Sequence, residues 1–97
     1  MAYHNTNSYS RIATQATTVV KAGPGMLHTI TISSGTAATA TIQVFDNTAG
    51  SGTLIFSYTQ GAAAPTAPVT LIFDCRFSIG LTIVTGAANP DITVTFA

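Results

Sequence analysis

Short segments in which apolar and polar residues alternate, separated by turn-forming residues, constrain this chain more than any other feature. "TATIQVFD" at 39 to 46 and "DITVTFA" at 91 to 97 show the alternation most clearly. A period of two is typical of half-buried β-strands. No window of 11 residues has convincing helical periodicity, so the sequence predicts an all-β fold.

Turn signals divide the chain into seven or eight such strands. The turns are "AGPG" at 22 to 25, "SSGT" at 33 to 36, "DNTAGSG" at 46 to 52, "QGAAAPTAP" at 60 to 68 and "GAANPD" at 86 to 91. Strands of this number and spacing predict an antiparallel β-sandwich, a jelly roll or a small barrel. The 97 residues fit one domain. We predict an extended polar arm at residues 1 to 10 and a single β-sandwich domain at 11 to 97.

Charged residues make up 6% of the chain and the formal net charge is zero. This composition argues against nucleic-acid binding and against a polybasic membrane anchor, which both need clustered positive charge. Low charge also weakens repulsion between copies, so we expect much of the surface to contact other protein. No apolar run is long enough for a membrane span, and the N-terminus has no secretory signal pattern. With one cysteine, we expect folding in a reducing cytoplasm.

The stretch "LIFDCRFSIGLTIVTG" at 71 to 86 places Asp74 and Arg76 two residues apart in the most apolar part of the chain. The odd positions from 71 to 83 are all apolar, so Asp74 and Arg76 lie on the opposite face of a long strand, or of two strands that meet near Gly80. Two interpretations stay open. The pair fixes strand register through ion pairs, with Asp46 or Asp91 as partners of Arg76 and Lys21 or Arg11 as partners of Asp74. Alternatively, this face is an assembly surface.

Four other residues are singled out by their positions. In "GMLHTITIS", Met26, His28, Ile30 and Ile32 share one face, which predicts a core or interface histidine at His28. Cys75 is predicted to be an inert core thiol. Tyr3 and Tyr9, in the predicted arm, are candidate interface residues.

Residues for catalysis or metal binding are scarce. Two histidines, three aspartates and one cysteine form no recognised catalytic or metal-binding motif. The loop "DNTAGSG" has one carboxylate, which is too few oxygen ligands for calcium and predicts a hairpin turn instead. We therefore expect no enzymatic activity, no catalytic residue, no metal and no cofactor.

Three segments of the chain, taken in order, carry motifs built on glycine and charged residues. The first is "VVKAGPGMLH", carried by Lys21, Gly23, Gly25, Leu27 and His28. The second is the hairpin beginning at Asp46 and Asn47. The third is "DCRFSIGL", carried by Asp74, Arg76, Phe77, Gly80 and Leu81. Together these segments resemble a group of small β-sandwich virion proteins of tailed bacteriophages, and the resemblance spans about residues 17 to 96.

The resemblance implies a non-enzymatic subunit of the virion, assembled in the host cytoplasm. It favours a capsid decoration (cement) protein that binds the major capsid protein or other virion proteins. A homo-oligomer, preferably a trimer, and an arm that wraps a neighbour would cover the exposed strand edges. A tail, neck or fibre subunit, including a module that binds the host surface, stays open as the alternative.

Overall fold

A computed structural model of the protein describes residues 7 to 97 and consists, over that range, of eight β-strands and connecting loops. The strands are β1 (Ser8–Ile12), β2 (Thr17–Ala22), β3 (Gly25–Ile32), β4 (Thr41–Asp46), β5 (Thr53–Thr59), β6 (Val69–Phe77), β7 (Gly80–Gly86) and β8 (Ile92–Phe96). They form two four-stranded sheets. Sheet 1 has the order β1-β8-β3-β6 and sheet 2 the order β2-β7-β4-β5.

The strand pairing is nested and antiparallel throughout. β1 pairs with β8, β2 with β7, β3 with β6, and β4 with β5. Additional pairing of β3 with β8 and of β4 with β7 completes the two sheets. This is the arrangement obtained when one long hairpin is rolled into a sandwich, which is the jelly-roll topology. The predicted all-β antiparallel sandwich or jelly roll is therefore confirmed.

The strand positions agree closely with the alternation in the sequence, apart from the start of the chain. β1 begins at Ser8 and pairs along its whole length with β8. Ser8, Tyr9 and Ser10, which we predicted to be part of the arm, therefore belong to sheet 1. Of the arm's other residues, Asn7 is described and precedes β1, whereas residues 1 to 6, including Tyr3, lie outside the described residues.

One hydrophobic core lies between the sheets. Its buried members are Ile12, Leu27, Ile30, Ile32, Ile42, Val44, Phe77, Leu81, Ile83, Ile92 and Val94. These come from six strands, and partly buried apolar residues of β2 and β5, including Val20 and Phe56, pack against them. All eight strands therefore contribute to the same core.

A bulge in β3 changes which of its residues face this core. From Leu27 to Ile30, β3 advances three residues while β8 advances two, from Phe96 to Val94. Leu27 and Ile30 are both fully buried as a result, and His28 turns outward. The prediction that Met26 and His28 share the core face with Ile30 is therefore wrong, because an extra residue reverses the alternation at this point.

The outer face of sheet 2 is partly covered by the hairpin loop between β4 and β5. Thr82, on the outward side of β7, is fully buried and donates a hydrogen bond to the carbonyl of Asn47 at 2.7 Å. Gly50 lies so close to Val84 that a Cβ atom at position 50 would be 2.7 Å from Cγ2 of that side chain. On the outward side of sheet 1, by contrast, Tyr9 and Ile72 are largely exposed.

Candidate functional site

The outer face of sheet 1 carries threonines in cross-strand rows, and we name it the threonine face. Its first row crosses all four strands in the order Tyr9, Thr95, Thr29 and Ile72. The two ends of the row are large and exposed, with Tyr9 76% and Ile72 72% accessible to solvent. These are the highest values among the exposed large apolar side chains of residues 7 to 97.

The threonine hydroxyls between these ends bond to one another. Oγ1 of Thr29 and Oγ1 of Thr95 are 2.5 Å apart. In the neighbouring row, Oγ1 of Thr31 and Oγ1 of Thr70 are 3.0 Å apart. Because these hydroxyls already have hydrogen-bond partners within the sheet, another protein could cover the face without leaving them unsatisfied.

Asp74 and His28 are brought together at the bulge between β3 and β6. Nδ1 of His28 donates a hydrogen bond to Oδ1 of Asp74, and both side chains remain well exposed. Asp74 has a φ of 47°, in the left-handed region that Asp tolerates better than most residues. The prediction that Lys21 or Arg11 pairs with Asp74 is therefore wrong, because its partner is His28.

The side chain of Arg76 has no hydrogen bond or ion pair with any residue in the range 7 to 97, although Asp46 and Asp91 were its predicted partners. Asp91 instead accepts a hydrogen bond from Nε of Arg11 at 3.0 Å, and this bond raises the pKa of Arg11. Of the two interpretations of Asp74 and Arg76, the ion-pair interpretation fails for Arg76. Arg76 remains an exposed cation beside the threonine face.

Asp46 is a structural residue whose role the sequence did not reveal. Its carboxylate accepts hydrogen bonds from the backbone amides of Ser78 and Ile79 at 2.8 to 3.0 Å, with a longer one from Gly80 at 3.4 Å. These amides belong to the turn between β6 and β7. The bonds from Ile79 and Ser78 lower the pKa of Asp46. The sequence offered one signal, a carboxylate at the end of a strand, but not the turn that it binds.

The three segments that carried the family resemblance meet at one end of the sandwich. Lys21 and Gly25 flank the turn between β2 and β3, and Gly25 pairs with Phe77. Gly80 packs against the backbone carbonyls of both Lys21 and Asn47, each 2.9 Å from the position of a Cβ atom. Asp46 then ties the β6–β7 turn to the same end. The motifs therefore have a shared structural role in closing this end.

Cys75, a sequence candidate, and Tyr58 lie away from the threonine face. Cys75 is half-buried and packs against the core. Tyr58 stacks on Phe56 and donates a hydrogen bond to Gln60 at 2.5 Å. Within residues 7 to 97, no group of three or more His, Cys, Asp or Glu side chains could hold a metal ion. The same residues include no helix long and apolar enough to cross a membrane.

Comparison of the chain with protein-family models, with curated proteins and with solved structures finds no significant match.

Proposed function

We propose that this protein is a non-enzymatic structural subunit of a tailed-phage virion, and that it decorates the assembled head by docking through the threonine face. The observation that carries the proposal is the row from Tyr9 to Ile72, with an exposed apolar anchor at each end. Interfaces are enriched in aromatic residues, and a few well-placed apolar anchors supply most of the binding energy.

The middle of the threonine face suits a partner surface of protein. Thr29, Thr95, Thr31 and Thr70 bear no charge and bond to one another in pairs. Burying such groups costs less than burying free hydroxyls or charges. Because sheet 2 is partly covered by its own hairpin loop, sheet 1 offers the more open face for docking.

A homo-oligomer, with a trimer favoured, is part of the proposal. β6 is an edge strand of nine residues, and Val69 and Ile72 on it are exposed. A long apolar edge strand invites pairing with another chain unless something covers it. A neighbouring copy or the capsid surface would cover this edge, and the arm would add contacts to the neighbour.

The alternative is a tail, neck or fibre subunit, including one that binds the host surface. A glycan-binding module would need exposed aromatic rings. Tyr58 is engaged by Phe56 and Gln60, which leaves Tyr9 as the exposed ring among the tyrosines that the structure describes. The geometry therefore favours decoration over host-glycan binding.

Co-sedimentation with capsids of the phage that encodes this chain tests the proposal. We expect Tyr9→Lys and Ile72→Lys each to weaken capsid binding at least tenfold. Val19→Lys is the matched control, because Val19 is also exposed, at 47%, but lies on the edge strand of sheet 2. Equal binding by all three variants would contradict docking through the threonine face.

The arm is tested separately by deletion. Removing residues 1 to 6 keeps β1 whole, whereas removing 1 to 10 takes away the part of β1 that pairs with Val94, Thr95 and Phe96. We expect the shorter deletion to weaken capsid binding. Unchanged binding would eliminate the arm as a clamp and leave the threonine face as the docking surface.

A further inference from the structure

An open cleft of about 510 Å³ lies at the end of the sandwich where the three resemblance segments meet. Pro24, Met26 and Phe77 form apolar parts of its lining, and Lys21 and Arg76 supply two positive charges. Ala97 also lines the cleft, and its backbone oxygen accepts a hydrogen bond from the Met26 amide at 2.8 Å. The cleft is continuous with the threonine face, because Met26 pairs with Arg76 and Arg76 shares the outward side of β6 with Ile72.

The acidic side chains of the protein have bonding partners within the fold, whereas two of its basic side chains do not. The full chain has three carboxylate residues and three Lys or Arg residues. Each of the three aspartates has an internal partner, namely the β6–β7 turn amides for Asp46, His28 for Asp74, and Arg11 for Asp91. The two remaining cations, Lys21 and Arg76, have neither a hydrogen bond nor an ion pair within residues 7 to 97. Both line the same cleft.

We propose that this cleft binds an acidic side chain on an otherwise apolar peptide segment of the protein partner. This inference rests on the proposed function, because it names the chemistry of the surface on which the subunit docks. The guanidinium of Arg76 would fork to both carboxylate oxygens, and the ammonium of Lys21 would add a point charge. The side chains flanking the acidic residue would contact Pro24 and Met26.

The composition of the cleft favours a protein segment over a nucleic acid. Nucleic-acid binding depends on neutralising a series of phosphates with many cations. This cleft has two, and the described chain has one other, Arg11, which Asp91 already holds. The apolar lining also has no counterpart in a backbone of phosphates, whereas it suits aliphatic side chains beside a carboxylate.

Heteronuclear NMR titration of the full-length chain tests the inference without any virion component. The probe is the capped tripeptide Ac-Val-Glu-Val-NH2, and its matched control is Ac-Val-Gln-Val-NH2. We expect the Glu peptide to shift the amide signals of Gly25, Met26 and Phe77, and the Gln peptide to bind at least tenfold more weakly. Lys21→Gln and Arg76→Gln should each weaken binding of the Glu peptide about tenfold.

Arg11→Gln is the control variant, since it also removes one exposed cation but lies on β1, at the opposite edge of sheet 1. It should bind the Glu peptide as the unsubstituted chain does. Equal binding of the Glu and Gln peptides, or no shift at these amides, would overturn the inference. Inorganic phosphate that bound as tightly as the Glu peptide would also overturn it, by assigning the cleft to a free anion.

The peptide and capsid experiments distinguish a failure of this inference from a failure of the proposed function. If the peptide does not bind while capsid binding still depends on Tyr9 and Ile72, only the acidic segment is excluded. If the peptide binds as expected but capsids do not, the cleft has the inferred chemistry and head decoration is wrong.

Discussion

Tyr9 and Ile72 stand at opposite ends of one row of cross-strand neighbours, on the two edge strands of the same sheet. Three strand spacings separate them, or about 14 Å at the usual distance between neighbouring strands. Thr95 and Thr29 lie between them and bond to each other. The row therefore combines two exposed apolar anchors with a neutral, internally bonded centre.

If Ile72 serves binding rather than folding, replacing it should hardly affect stability. We expect Ile72→Thr to change the free energy of unfolding by less than about 0.5 kcal/mol, as is usual for exposed positions. Ile30→Thr, in the same sheet but fully buried, should cost more than about 2 kcal/mol. Urea denaturation of the two variants makes the comparison, and a large loss for Ile72→Thr would show that the side chain stabilises the monomer.

The close packing at Gly80 predicts a strong effect of a single methyl group. A Cβ atom there would lie 2.9 Å from the carbonyl oxygens of Lys21 and Asn47. We expect Gly80→Ala to destabilise the protein by about 1 to 3 kcal/mol through overpacking. Gly61→Ala is the matched control, because nothing lies within 4 Å of the added atom. Similar denaturation midpoints for both variants would contradict this account of the closed end.

The backbone at Asp74 predicts a difference between two substitutions that both remove its charge. With φ at 47°, the position accepts Asn but disfavours a β-branched residue. We expect Asp74→Val to cost about 1 to 2 kcal/mol more than Asp74→Asn. Asn keeps an oxygen that can accept the hydrogen bond from His28, so the comparison is made in a His28→Ala background, where neither variant has this bond. Equal thermal denaturation midpoints would be evidence against a left-handed conformation at this bulge.

The hydrogen bonds of Asp46 predict how the stability of the protein changes with acidification. Hydrogen bonds from the Ile79 and Ser78 amides hold its folded-state pKa below the unfolded value of about 4. The contribution of Asp46 to the stability of the folded state is therefore fully present above about pH 4. This contribution is lost as the pH falls through the lower, folded-state pKa. We expect Asp46→Ala to lower stability at neutral pH and to reduce the loss of stability on acidification.

Thermal denaturation at a series of pH values, from neutral to below 4, measures both effects. Thr53→Ala is a suitable comparison, since Thr53 pairs with Asp46 across the hairpin but bears no ionisable group. An unchanged pH dependence in Asp46→Ala would mean that the β6–β7 turn does not depend on this carboxylate.

Local pattern was sufficient to predict the strands, because each alternating segment is bounded by its own turn residues. It failed at β3, where the bulge at His28 is defined by the register with β8 and leaves no trace in the strand's own alternation. The ion pairs were also beyond prediction, because His28 and Asp74 meet only through the pairing of β3 with β6. The role of Asp46 depends on a turn 32 residues away.

A cryo-EM reconstruction of particles with and without this chain tests the central claim most directly. Head decoration predicts additional density on the outer capsid lattice at local symmetry axes, with the threonine face turned toward the capsid and Tyr9 and Ile72 in the contact. Density confined to the tail, neck or fibre would contradict decoration and support the alternative position on the particle. Density on the head with sheet 2 against the capsid would contradict the docking surface.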